Sequence, residues 1–282
     1  MREANSSETR NSLVTYSSTP AAKSISFSVS NATLDGKAEV EFHIMADKHT
    51  LLENLADGVA GNAGTVAVGL NWTLVEGPAG IGLAHSPARG TSGCFGLTDA
   101  GTRRGQPLAK LAAGAKSENP FDRALAQAAI NAHFNRPNLE GRNANGIELF
   151  AESDASTTVA IGRFPGIENR LTGIKVIERD PGPNDFPLSA ATDLLPAADQ
   201  LLITASTLND SSLKEYLGLA PNARTMLIGP GTPMAPSLFD LGIDILAGFV
   251  VSDTARAIDI IMQGGAVRAL RECGRNVCLM NA

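Results

Sequence analysis

The chain has 282 residues, 43% of them apolar, enough for one large or two medium domains with a full core. Its 23 Lys and Arg against 29 Asp and Glu give a net charge of −6, without the basic surplus expected of a nucleic-acid binder. Three cysteines with no CxxC pair speak against a disulfide scaffold and fit a reducing cytoplasm. The sequence also contains no run of the roughly eighteen apolar residues that a membrane span needs.

Residues 1–23 are rich in Ser, Asn and Thr and carry no apolar signal-peptide core, so a flexible tail is expected. Two alternating stretches follow, SISFSV and EVEFHI, with Asp35-Gly36 between them, which predicts a hairpin. Over residues 47–60, Leu51, Leu52, Leu55 and Val59 share one helical face, with Gly61 as the stop. Strands are expected at residues 65–70, 72–75 and 79–84. The irregular loop of residues 85–114 includes a short helix from residue 108. A longer helix begins at Asn119 as cap and Pro120 as first residue, and ends before Pro137. Residues 138–146 read as a polar connection between domains.

The second half has a stricter rhythm. Short apolar runs at residues 157–161, 174–177, 201–203, 225–228 and 245–251 alternate with short helical or turn segments, and a final helix spans residues 254–270. Buried strands separated by helices predict a parallel sheet. The expected organisation is α/β: a tail over residues 1–23, an α+β domain over 24–145 and a parallel-sheet domain over 146–282.

Chemistry gathers where these strands end. In the stretch TASTLNDSS, the Thr204, Ser206 and Thr207 hydroxyls, Asn209 and the helix-start N–H groups can hold an anion, or they can simply cap. In GPGTPM, Gly229 lets backbone approach a ligand, Pro230 and Pro233 fix the turn, and Thr232 offers a hydroxyl. Glu178 ends the second strand, where dinucleotide folds contact a ribose. Neither GxGxxG nor GxxxxGK[ST] is present, however. In the first half, His85 can carry a proton or bind a metal, and Cys94 can supply a thiolate. Asp99, Arg103 and Arg104 can meet a charged ligand. Trp72, the single tryptophan, can pack beneath a ligand or fill the junction between domains.

Taken together and in order, VAVGLNWTLVEG, IGLAHSP, VAIGRFPG, IKVIERDPGPNDFP, LLITASTLNDSSL and MLIGPGTPMAP resemble the heavy-metal-chelation family over roughly residues 51–272. The resemblance implies an enolase-N-terminal-like domain followed by a Rossmann-like domain, with a site in the cleft between them. Carried onto this chain, the ligand set is His85, Phe164, Pro165, Glu178, Thr204, Ser206, Thr207, Asn209, Gly229, Pro230, Thr232 and Pro233, to which Trp72 is added on its own reading. The metal candidates are His85, Cys94 and Glu178. The family's Gly-Pro-Ser-Thr-Pro turn appears here as GPGTP, with Gly231 in place of the serine.

Three functional readings stand at this point. The leading one is a cytoplasmic binding protein for a small molecule: a transition metal, a metal chelate or another anionic ligand. The others are an enzyme acting on a small anionic metabolite and a partner in metallocluster or cofactor maturation. A homodimer is expected, and neither nucleic acid nor membrane is.

Overall fold

A computed structural model describes residues 51–87, 97, 99–152, 157–210 and 212–281. The predicted hairpin and Cys94 lie outside these residues. Residues Asp47–Ala282 form one compact unit.

The amino-terminal part begins with α1 (Leu51–Ala56), whose Leu51, Leu52 and Leu55 are buried as the periodicity requires. The strands β1 (Val66–Val68), β2 (Trp72–Glu76) and β3 (Ile81–His85) form a three-stranded antiparallel sheet. The helices α2 (Leu108–Ala112) and α3 (Pro120–Phe134) follow. The Asn119 side chain accepts from Phe121 N at 3.0 Å, and Pro120 stands at the first turn, where it needs no donor. Small residues let α3 lie tightly on the sheet. A Cβ on Gly82 of β3 would sit 1.8 Å from the Ala128 carbonyl oxygen, so only glycine fits there.

The rest of the chain builds a seven-stranded sheet. Its elements in chain order are α4 (Gly146–Ala151), β4 (Thr158–Ile161), β5 (Lys175–Glu178), β6 (Phe186–Pro187), α5 (Ala191–Leu194) and β7 (Gln200–Thr204). Then come α6 (Leu213–Leu219), β8 (Arg224–Ile228), β9 (Ile245–Val251), α7 (Thr254–Met262) and β10 (Gly274–Met280). The spatial order is β10-β9-β8-β7-β4-β5-β6, parallel except for β10, which runs antiparallel to β9. The run β5-β4-β7-β8-β9 has the doubly wound order in which the chain reverses direction between β4 and β7.

Alternation along the strands sends side chains to two faces. Val159, Leu201, Ile203 and Leu227 join the core that contains α3. Ala160, Leu202, Met226 and Ala247 join the cluster beneath Ile147 and Phe150 of α4. A third cluster joins Trp72, Leu74 and Leu83 to Phe249, Ile260 and Ile261, packing the small sheet against β9 and α7.

Three elements depart from the sequence expectation. The final helix stops at Met262, because Gly264 takes a left-handed φ of 77°. The chain then returns as β10, a strand that the mixed pattern GRNVCLM does not announce. In the expected polar connection, Asn145 accepts from Ile147 N at 3.2 Å and starts α4.

Candidate functional site

The turns at the carboxyl ends of the parallel strands are largely occupied with one another. Thr204 and Ser206 share a hydroxyl contact at 3.2 Å, and Thr207 Oγ1 donates to the Thr204 carbonyl at 2.8 Å. Thr207 is buried, while Asn209 is half-buried at the end of the same turn. Both oxygens of Glu178 accept backbone N–H groups, from Arg163 and Arg179, each at 2.8 Å. Glu178 therefore ties the ends of β4 and β5 together. The Arg179 guanidinium pairs with Asp210, linking the end of β5 to the turn after β7. Since β4 lies between those strands, the pair spans the reversal point.

The loop after β8 is gripped by a row of amides on α3. Gln127, Asn131 and Asn135 are four residues apart, so they share one helix face, and all three are buried. Gln127 Nε2 donates to the carbonyls of Ala205 at 3.1 Å and Gly231 at 2.7 Å. Asn131 Nδ2 donates to Leu83 O at 2.7 Å and Gly231 O at 2.8 Å. Asn135 donates to Thr232 O at 2.9 Å and accepts from Met234 N at 3.0 Å. Thr232 and Pro233 are buried beneath this row. The predicted junction between the two sheets is thus packed at these positions. The amide row is what sequence reasoning missed. Its signal was present: amides at a spacing of four, two inside an alanine-rich helix and the third, Asn135, capping its carboxyl end.

Trp72 is 6% exposed and belongs to the apolar cluster with Phe249 and Ile261. It fills the junction. Its ring meets that of His85, the residue paired with it across the strands, edge-on at 5.7 Å. His85 is exposed to solvent on one side, and the desolvation imposed by its packed side pulls its pKa below the ordinary value, against a smaller raising effect from the Ser86 backbone. Glu178 stands on β5, whereas β3 packs beside β9, across β4, β7 and β8. The fold does not bring His85 and Glu178 together. Among the described residues, no group of three His, Cys, Asp or Glu side chains converges as a metal site. Arg103 is also committed, to Asp99 at 2.6 Å and Asp122 at 3.0 Å.

One cavity lies on the α4 side of the large sheet and holds about 450 Å³; another, of about 540 Å³, is lined by Arg103, Arg104 and Phe121. Of the sequence-predicted residues the first gathers Phe164, Pro165, Gly229 and Pro230. Ile228, Ala247, Phe249 and Asn276, from β8, β9 and β10, also line it. Three further lining residues carry charge, Arg170, Arg268 and Arg271, and all three are exposed. Arg170 comes from the β4–β5 connection and has Glu148 of α4 at 3.8 Å. Arg268 and Arg271 come from the segment between α7 and β10 and make no ion pair with the described residues. Among the described residues, no Asp, Glu, His or Cys lines the cavity, and the lining ones fall within residues 144–276.

A doubly wound sheet with a cationic cavity beside its strand ends, carrying a small antiparallel sheet, defines a class of two-sheet α/β proteins. Two family models, both described as "Putative heavy-metal chelation", match residues 53–134 and 145–280. The chain belongs to this family. A crystal structure of a protein of unknown function from the DUF364 family of Desulfitobacterium hafniense DCB-2 is 29% identical. It superposes with a TM-score of 0.73, covering 82% of this chain and 97% of that one. A second, from Pyrococcus horikoshii, is 20% identical with a TM-score of 0.65, covering 81% of this chain and 96% of that one, and it shares the fold. No curated protein matches the chain.

Proposed function

We propose that the protein binds an anionic small molecule, or a metal already wrapped by an anionic chelator, in the cavity between Phe164-Pro165 and Gly229-Pro230. One observation carries this reading: among the described residues, three arginines line the cavity and no carboxylate, imidazole or thiolate does. Guanidinium groups recognise carboxylate and phosphate through paired, charge-assisted hydrogen bonds. A bare transition metal needs thiolate, imidazole or carboxylate donors, and the same arginines would repel it. The ligand itself must therefore supply the metal's donors. This agrees with the family's description while placing the chelating groups on the small molecule. With no proton-transferring side chain among the described residues of the cavity wall, the reading is capture rather than turnover.

The test is a calorimetric titration of the full chain with citrate, alone and as its ferric complex, beside the Arg268→Ala/Arg271→Ala double variant. Binding that weakens at least tenfold in the double variant is the expected result. Tight binding of uncomplexed metal, equal in both proteins, would overturn the proposal.

A further inference from the structure

We propose that the outer edge of β1, with the cavity beside it, docks an extended acidic segment of a partner protein, which adds to the small sheet as a further strand. This site is separate from the arginine cavity on the α4 side, and its reading does not depend on that one.

The strand β1 ends the order β1-β2-β3, so only one of its edges is paired among the described strands. The register shows which groups are left over. Gly69 N donates to Trp72 O at 2.9 Å and Glu76 N to Thr65 O at 2.8 Å, with Ala67 opposite Leu74 between them. In an antiparallel pair such bonded positions alternate with positions whose N–H and carbonyl groups face away. Val66 and Val68 are the outward-facing ones, and no other described backbone group bonds to them. The strand Val66-Ala67-Val68 also carries neither the charge nor the proline that commonly blunts a free edge.

The cavity adjoins this edge. It holds about 540 Å³, and Val66 and Val68 line it with Leu97, Phe121, Arg103 and Arg104. Val66 and Val68 share one face of β1, and Val68 is exposed there. A strand added to the edge has every second side chain on that same face, beside the apolar part of the cavity wall. Four backbone groups hold little by themselves, so side chains set beside the cavity supply the rest of the affinity.

Charge selects the occupant. Among the described residues, no Asp or Glu lines the cavity. Arg103 is paired with Asp99 and Asp122, whereas Arg104 is exposed and has no ion pair among the described residues. A carboxylate on the incoming segment gives Arg104 the partner it lacks. A second copy of β1 would instead bring its own Arg104 to the same face, and like charges across paired strands are destabilising.

Fluorescence anisotropy on the full chain, with a labelled octapeptide of alternating glutamate and valine, tests this. Saturable binding is expected, at least tenfold weaker for the lysine–valine octapeptide and lost when the peptide amides are N-methylated. Val68→Pro removes an outward N–H without touching a bond to β2, and Arg104→Glu reverses the free charge. Each should weaken binding at least tenfold with thermal unfolding unchanged; if the proline variant unfolds early, the exposed Arg104 decides alone. Equal binding of the N-methylated peptide would mean a carboxylate site rather than strand addition, and would overturn the proposal. No binding of the glutamate–valine peptide would overturn it as well. So would sedimentation that shows dimers split by Val68→Pro, since a second copy would then hold the edge.

Discussion

The Asn131 side chain and the Gly231 carbonyl lie 100 positions apart in sequence and 2.8 Å apart in space, wholly buried. The same amide nitrogen reaches Leu83 O at 2.7 Å, so one side chain fastens the small sheet to the loop after β8. That loop supplies Gly229 and Pro230 to the cavity. Asn131→Ala leaves the Leu83 carbonyl without this donor at a buried position. We expect a loss of about 2–3 kcal/mol, read by urea unfolding. Asn131→Asp should do no better, since an ionised carboxylate only accepts hydrogen bonds. Unchanged stability in Asn131→Ala would mean that the amide bridge holds nothing.

Gly231 lies against the same row. A Cβ there would meet Gln127 Nε2 at 3.3 Å and the Ala84 Cα at 3.5 Å. The first contact is tight and the second ordinary, so Gly231→Ala should cost about 1 kcal/mol through a small shift of Gln127. Gly231→Leu should be far worse, because its branched end has backbone to displace. Equal melting temperatures for the leucine variant and the wild type would contradict this packing.

Asn71 connects the small sheet to the cavity from another direction. Its side chain donates to Gly264 O at 2.9 Å and Gly265 O at 3.3 Å, at the turn that precedes Arg268 and Arg271. Asn71→Ala should speed hydrogen exchange over residues 264–272 and weaken citrate binding several-fold, with little change at α3. Exchange unchanged in that segment would show that the turn holds itself.

His85 should titrate below 6.5, its ordinary value, because desolvation disfavours the imidazolium. The sign for stability follows. The unfolded chain takes up this proton first, so the neutral ring's contribution is intact above about 6.5 and declines as pH falls toward the folded-state pKa. Nuclear magnetic resonance of the His85 ring reads the midpoint directly. A midpoint at or above 6.5 would contradict the desolvation.

Some of this was legible in the sequence. Asn119, Pro120 and Pro137 bracketed α3 because caps and prolines act locally. The parallel strands announced themselves as short apolar runs, since burial on both faces removes the need for alternation. Phe164, Pro165, Gly229 and Pro230 line one cavity because turns after parallel strands converge. Arg268 and Arg271 were not legible: Arg268 fell inside what read as the continuation of α7, and Arg271 just past its expected end. Gly264 ends that helix, and only the return of the chain as β10 carries the two arginines to the cavity. Trp72 was read as packing beneath a ligand or filling the junction, and Thr232 as a ligand hydroxyl; both are buried where the sheets meet. Whether such a junction is open or packed depends on the facing helix, and here the α3 amides help fill it.

Native mass spectrometry of the full chain, purified without added ligand or metal, tests the central claim most directly. The account predicts a retained organic anion, with or without a metal inside it, that is lost from the Arg268→Ala/Arg271→Ala variant. Retention of a bare metal ion, equally by both proteins, would contradict it.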